Sequence, residues 1–216
     1  MISRKGKDMI KAVVFDFGGV QTTTTMPERV HQLVDRLGIP WQPIIDGYRK
    51  YRHDYDGGFI SLDEVYRRTW ADAGLPVPAE HGQILEADVA SYLYRNERTL
   101  AWMRALKARG FTIGILTNMA PDFEALYREK FADFVELASA IVVSGAEHLF
   151  KPQREIYDLL RTRIGLPAET LLFVDDLEEN CAGARAAGWQ ALLFESNEQA
   201  ERDFERLVAA PAEGGR

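Results

Sequence analysis

The residues of this chain best placed for chemistry are carboxylates that follow short apolar runs. Asp16 closes Ala12-Val13-Val14-Phe15, and Asp175 and Asp176 close Leu171-Leu172-Phe173-Val174. Runs this short, partly β-branched and free of polar interruption, read as strands buried on both faces. In a parallel sheet their carboxyl ends share one edge, which is where open α/β sheets bind ligands. Thr117-Asn118, after the strand-like 111–116, and Ser144-Gly145, after Ala140-Ile141-Val142-Val143, would end on the same edge. Three carboxylates gathered there repel one another, so a cation is the economical partner. An oxygen donor set of this kind suits Mg²⁺, which takes one or two carboxylates and keeps water and phosphate oxygens for the rest. Asp175-Asp176 would also cap a helix starting near Glu178, although a cap needs one aspartate and not two.

Lys151, ahead of Pro152, could hold an anion as a point charge and offset the carboxylates, though a lysine before a proline is also an ordinary surface pair. Thr117 and Asn118 offer a hydroxyl and backbone amides to phosphate oxygens, or form a plain turn. Gly18 and Gly19 let the chain turn sharply after Asp16 and bring its amides close to a bound group. Asp54, Asp56 and His53 are conceivable proton donors but read more simply as solvated loop residues. The basic-aromatic stretch Tyr48, Arg49, Lys50, Tyr51, Arg52, His53 and Tyr55 reads first as one helix with a wet face and an apolar face, and second as a contact for an anionic substrate. Cys181, the single cysteine, has no histidine nearby and reads as a packing residue.

The elements that must position these groups alternate. Helices over 97–109, 121–131, 153–163, 178–187 and 197–209 separate strands at 111–116, 140–143, 171–174 and 190–194, which indicates βαβ units and a parallel sheet covered on both faces. Between Asp16 and the second strand the texture changes. A loop is expected over 21–26, then helices from Pro27 to Gly38, around 44–51, from the capping box Ser61-Leu62-Asp63-Glu64 to Gly74, and over about 79–93. The expectation is therefore an α/β, Rossmann-like core of residues 1–20 and 96–216 with an all-helical insertion at 21–95. The tail from Pro211 is expected to fray.

Composition narrows the partners. The 216 residues carry a net charge of −7, which disfavours a general nucleic-acid or membrane-surface binder. One cysteine precludes an intrachain disulfide and fits a reducing compartment. No signal segment or transmembrane stretch is read, so a cytoplasmic, soluble protein is expected. Oligomeric state leaves no mark on the sequence.

Taken together, the aspartate in Val14-Phe15-Asp16-Phe17-Gly18-Gly19-Val20, the Thr117-Asn118 strand end, Phe150-Lys151-Pro152 and the acidic pair in Phe173-Val174-Asp175-Asp176-Leu177-Glu178-Glu179-Asn180 resemble the haloacid dehalogenase (HAD) superfamily. The glycine-glycine form of the first motif is similar to the group containing the phosphatase domain of soluble epoxide hydrolases and bacterial sugar-phosphate phosphatases. The resemblance implies a Mg²⁺-dependent phosphatase acting on a small phosphorylated metabolite, with the helical insertion as a cap. It implies Asp16 as nucleophile, and Mg²⁺ held by Asp16, the Gly18 carbonyl and Asp176, with Asp175 and Asn180 in or near the layer of residues behind those ligands. Thr117 and Asn118 would bind the phosphoryl group and Lys151 would neutralise charge. The sequence departs from the family at Gly18, where most of its phosphatases have a second aspartate serving as general acid and base. Two rivals follow: a metal-independent haloacid dehalogenase, which also lacks that aspartate, and a catalytically weak binding or regulatory protein.

Overall fold

A computed structural model describes residues 10–23 and 28–209. The expectations for the N-terminal residues before Ile10, for Thr24–Pro27 and for the tail from Pro211 lie outside the described residues.

The chain runs β1 (Ala12–Phe15), α1 (Glu28–Arg36), α2 (Trp41–Asp56), α3 (Leu62–Asp72), α4 (His81–Ser91), α5 (Glu97–Ala108), β2 (Thr112–Thr117), α6 (Pro121–Lys130), α7 (Ala132–Val135) and β3 (Ala140–Val143). It continues with α8 (Ser144–Glu147), α9 (Arg154–Ile164), a 3₁₀ turn at Ala168–Thr170, β4 (Leu171–Asp175), α10 (Glu178–Ala186), β5 (Gln190–Leu193) and α11 (Asn197–Ala209). The five strands are parallel in the order β3-β2-β1-β4-β5, so the first strand of the chain is the middle of the sheet.

Both faces of that sheet are covered, which is why its strands carry no polar alternation. Val13, Phe15, Ile113, Ile115, Leu172 and Val174 pack on one face against Trp102, Met103, Tyr127 and Phe204. Ala12, Val14, Leu116, Leu171 and Phe173 pack on the other against Ile156, Tyr157, Leu160 and Ala184. Helices α1–α4 build a third apolar cluster around Val34, Ile44, Tyr66, Trp70 and Ile84. The expected helices all form, with shifted ends. α2 is longer than 44–51 and reaches Asp56, because Ile44, Ile45, Tyr48 and Tyr55 lie along one buried stripe. The Ser61 cap forms by half: the Ser61 hydroxyl accepts from Glu64 N at 3.2 Å, while the Glu64 carboxylate turns to Arg68 instead of back to Ser61. α7 and α8 were not expected; four residues are too few to show a period.

Candidate active site

Strand register brings the groups together. Phe15 pairs with Ile115 and Val174, so the next residue of each strand, Asp16, Leu116 and Asp175, continues one row at the carboxyl edge. Asp16 N still donates to Val174 O at 2.9 Å, which keeps Asp16 on the ladder. The turn after it closes on the Phe17 carbonyl, which accepts from Gln21 N and Thr22 N. Gly19 takes φ +70° there, a conformation that favours glycine. Gly18 does not, and a Cβ at Gly18 would meet nothing within 4 Å. Only one of the two glycines is therefore required by the turn. Gln21, fully buried, donates to Asp16 O at 3.0 Å and accepts from Tyr127 OH at 3.0 Å, fixing this loop from beneath. Nothing in its sequence context marked Gln21.

The carboxylates of Asp16, Asp175 and Asp176 place one oxygen each within 4.8 Å of the others. Lys151 reaches between two of them, its Nζ 2.7 Å from Asp16 Oδ1 and 2.6 Å from Asp175 Oδ2. All three partners are buried, at 4%, 7% and 0% exposure for Lys151, Asp16 and Asp175. Asp175 is further held by Asn180 Nδ2, at 3.0 and 3.1 Å from its two oxygens, and by Leu177 N at 2.8 Å. That network satisfies Asp175. Asp16 Oδ1 is different: the ammonium lies close but off the hydrogen-bonding direction, and no other donor reaches it. Asp176 is half-buried, with no ion pair among the described residues.

Burial pushes the Asp16 carboxyl up to about 7, with Asp175 and Asp176 adding to the shift and Lys151 opposing it. Burial and then Asp175 push Asp176 up to about 6. Burial works against the Lys151 ammonium, but Asp16 and Asp175 outweigh it and hold its pKa above the usual lysine range. A set of oxygen donors that strains toward protonation, with one buried oxygen lacking a donor, fits a hard divalent cation.

Asn118 does something the sequence did not indicate. Its side chain donates to Lys151 O at 3.1 Å and accepts from Lys151 N at 2.9 Å, clamping the backbone that carries the ammonium. Thr117 is buried beside it at the end of β2. Ser144 lies off the carboxylate cluster, accepting from Met119 N at 2.9 Å and donating to Asp56 O at 2.6 Å, which ties α8 to α2. Cys181 is buried and its thiol is pushed up to about 12 by burial, as a packing residue would be.

A cavity of about 570 Å³ opens on this edge and is closed on its far side by α2 and α4. The basic-aromatic stretch divides. Tyr48, Arg49, Arg52, His53 and Tyr55 line the cavity, whereas Lys50 and Tyr51 turn away to Asp72. Asp54 is half-buried and does not line the cavity; Asp56 is buried and on the cavity wall. Asp88 and Tyr92 were not singled out in the sequence. Asp88 accepts from Tyr66 OH at 2.6 Å, and Tyr92 OH lies 3.2 Å from Arg52 Nη1.

The protein is of the α/β class, a covered parallel sheet with an acidic site at the carboxyl edge of its central strands. The model of the haloacid dehalogenase-like hydrolase family matches residues 10–188, and the chain belongs to that family. It is 33% identical over 209 residues to drimenol cyclase of Aspergillus calidoustus, covering 96% of this chain and 38% of that protein. It is 24% identical over 213 residues to a phosphatase of Mycobacterium tuberculosis, covering 93% of this chain and 96% of that one. The chain thus spans about two fifths of the first of these relatives and nearly all of the second. Among solved structures, an L-2-haloacid dehalogenase superposes with TM-score 0.71 at 21% identity, over 94% of this chain and all of that one. A HAD enzyme of Bacteroides thetaiotaomicron, in complex with magnesium and inorganic phosphate, superposes with TM-score 0.64 at 19% identity, over 85% of this chain and 93% of that one. Both structural likenesses bear on the fold. Among the described residues, no helix is long and apolar enough to cross a membrane.

Proposed function

We propose that the protein is a Mg²⁺-dependent phosphatase of a small phosphorylated molecule, working through an aspartyl-phosphate on Asp16, with α1–α4 and their connections (residues 21–95) as a cap over the core. The observation that carries this reading is the carboxylate cluster of Asp16, Asp175 and Asp176 astride Lys151. Relatives named as phosphatases support it. The cation would be held by Asp16, Asp176 and the Gly18 carbonyl, with Asp175 and Asn180 orienting them. It would supply charge neutralisation for the dianionic phosphoryl group.

The chain's own residues do the rest. The Asp16 carboxylate attacks phosphorus, the P–O bond to the alcohol breaks, and the alkoxide departs with a proton from solvent or a cap side chain. Water then attacks the acyl phosphate, releasing inorganic phosphate and regenerating Asp16. Lys151, kept cationic by its two carboxylates, stabilises charge on the phosphoryl oxygens. Thr117 and the Asn118 backbone face the same oxygens, while the Asn118 side chain positions Lys151. Gly18 leaves no general acid next to the nucleophile, which favours esters with good leaving groups.

The dehalogenase reading shares the missing second aspartate, but leaves Asp176 without a task. Hydrolysis of p-nitrophenyl phosphate with Mg²⁺ and with EDTA decides between them. The expected result is turnover that disappears in EDTA and falls at least about a thousandfold in Asp16→Asn. Turnover retained in either case overturns the mechanism.

A further inference from the structure

Charge is distributed unevenly along the cavity. One end holds Asp16, Asp176 and Lys151, the groups assigned above to the phosphoryl group. Beyond them the wall is Ile45, Val89, Met119, Ala120 and Phe123, carbon surfaces contributed by α2, α4, α6 and the segment that leads into α6. Among the described residues, the largely buried cation of that region is Arg52, which is already engaged. Its Nε donates to Asp56 Oδ1 at 2.8 Å, its Nη1 donates to the hydroxyls of Tyr48 and Tyr92, and the rings of Tyr48, Tyr55 and Tyr92 surround it at 5.1–5.5 Å. Asp88, 2% exposed, adds a second carboxylate to the same wall. Two buried carboxylates therefore face one guanidinium. The other basic side chains on this wall among the described residues, Arg49 and His53, are exposed, where water screens an ion pair.

A second phosphate or a carboxylate on the substrate body would meet negative potential here. A polyhydroxylated body would lose its hydrogen bonds to water against a surface that offers carbon in return. An apolar body gains instead, each buried methylene contributing about a fourfold increase in affinity. We infer that the substrate carries a single phosphoryl group on an uncharged, largely apolar alcohol, seated between α2 and α4. This inference rests on the phosphatase reading and adds the substrate class to it.

The test compares octyl phosphate, glucose 6-phosphate and phosphoglycolate, three esters with poor alkoxide leaving groups, by kcat/KM in Mg²⁺. Calorimetric binding of octylphosphonate and phosphonoacetate runs in parallel. Octyl phosphate is expected to exceed both other esters at least about tenfold, and Val89→Asn to lower that preference several-fold. A ratio of two substrates on one enzyme sample is insensitive to how much of the variant is folded. Preference for glucose 6-phosphate or phosphoglycolate, above all one abolished by Arg49→Ala, overturns the inference and leaves the phosphatase reading standing. Failure to hydrolyse any ester while octylphosphonate still binds more tightly than phosphonoacetate overturns the phosphatase reading and upholds the apolar wall. Equal binding of the two phosphonates overturns the inference.

Discussion

The two ends of the cavity are built by different means. At the strand edge, Asp16, Thr117 and Asp175 each sit at or just past the end of a central strand, and backbone register alone makes them neighbours. At the helical end, Arg52, Asp56, Asp88 and Tyr92 come from α2, α4 and the turn after α4, and only side-chain packing between helices makes them neighbours. The first end holds excess negative charge straddled by one lysine. The second holds an arginine enclosed by aromatic rings and two carboxylates. On the proposed reading the first receives a cation and a phosphoryl group, whereas the second already holds its own ion pair. A site of this kind separates reaction from recognition in space, so each can be perturbed alone.

The largest perturbation expected beyond Asp16 itself is at Lys151. Lys151→Met should lower kcat on p-nitrophenyl phosphate about 10²–10³-fold, through lost stabilisation of phosphoryl charge. It should also lower the Tm, because Asp16 and Asp175 lose their shared cation in a buried setting. Next is a gain. Gly18→Asp has room for its side chain and needs no left-handed backbone. It should raise kcat on alkyl phosphates about 10–10²-fold relative to p-nitrophenyl phosphate, whose leaving group needs no proton. An unchanged ratio would show that the proton already comes from another group. At the helical end, Tyr66→Phe removes the donor to buried Asp88 and should cost about 1–3 kcal/mol in urea denaturation, with p-nitrophenyl phosphate kcat within twofold of the parent, roughly. A tenfold loss of kcat there would erase the separation between the two ends.

The smallest effect is the pH dependence of stability without metal. Asp16 and Asp176 are raised to about 7 and about 6, so the unfolded chain releases these protons first and ionisation penalises the native state. Their contribution is most favourable below about pH 4 and is lost as pH rises through 6 to 7. Mg²⁺ binds the ionised carboxylates, so the Tm in Mg²⁺ minus the Tm in EDTA should widen by a few degrees from pH 5 to pH 8. A difference constant with pH would remove Asp16 and Asp176 from the metal site.

The same contrast explains what could be read from the chain. The strands at 12–15, 140–143 and 171–175 are fixed by uninterrupted apolar residues, and Asp16 and Asp175 follow from where those runs stop. The second end was not legible. α4, His81-Gly82-Gln83-Ile84-Leu85-Glu86-Ala87-Asp88-Val89-Ala90-Ser91, spreads its apolar residues around the helix, so nothing marked Asp88 as inward-facing. Arg52 and Asp56 sit one helical turn apart, which reads as a surface ion pair until Tyr92 of a different element is brought over them. The Asn118 clamp on Lys151 was equally hidden, since its partners are 33 residues apart.

The chain segments that leave β1 and return to α5 are fastened to each other. Thr22 and Arg95 form an antiparallel bridge, Thr23 N donates to Tyr94 O at 2.8 Å, and Asn96 donates from N to Gln21 O and from Nδ2 to Val20 O. The segment between residues 23 and 94 leaves and rejoins the core at this short stem, and touches the core again where Ser144 Oγ donates to Asp56 O and His148 Nδ1 lies 3.1 Å from Gly57 O. The entropy of closing a loop on such a stem grows only slowly with the length enclosed. Transplantation should therefore succeed here: a helical segment from another protein, grafted between the two legs of the stem, leaves the sheet register untouched. The stem is a splice point, at which recognition can be exchanged without rebuilding the reaction centre.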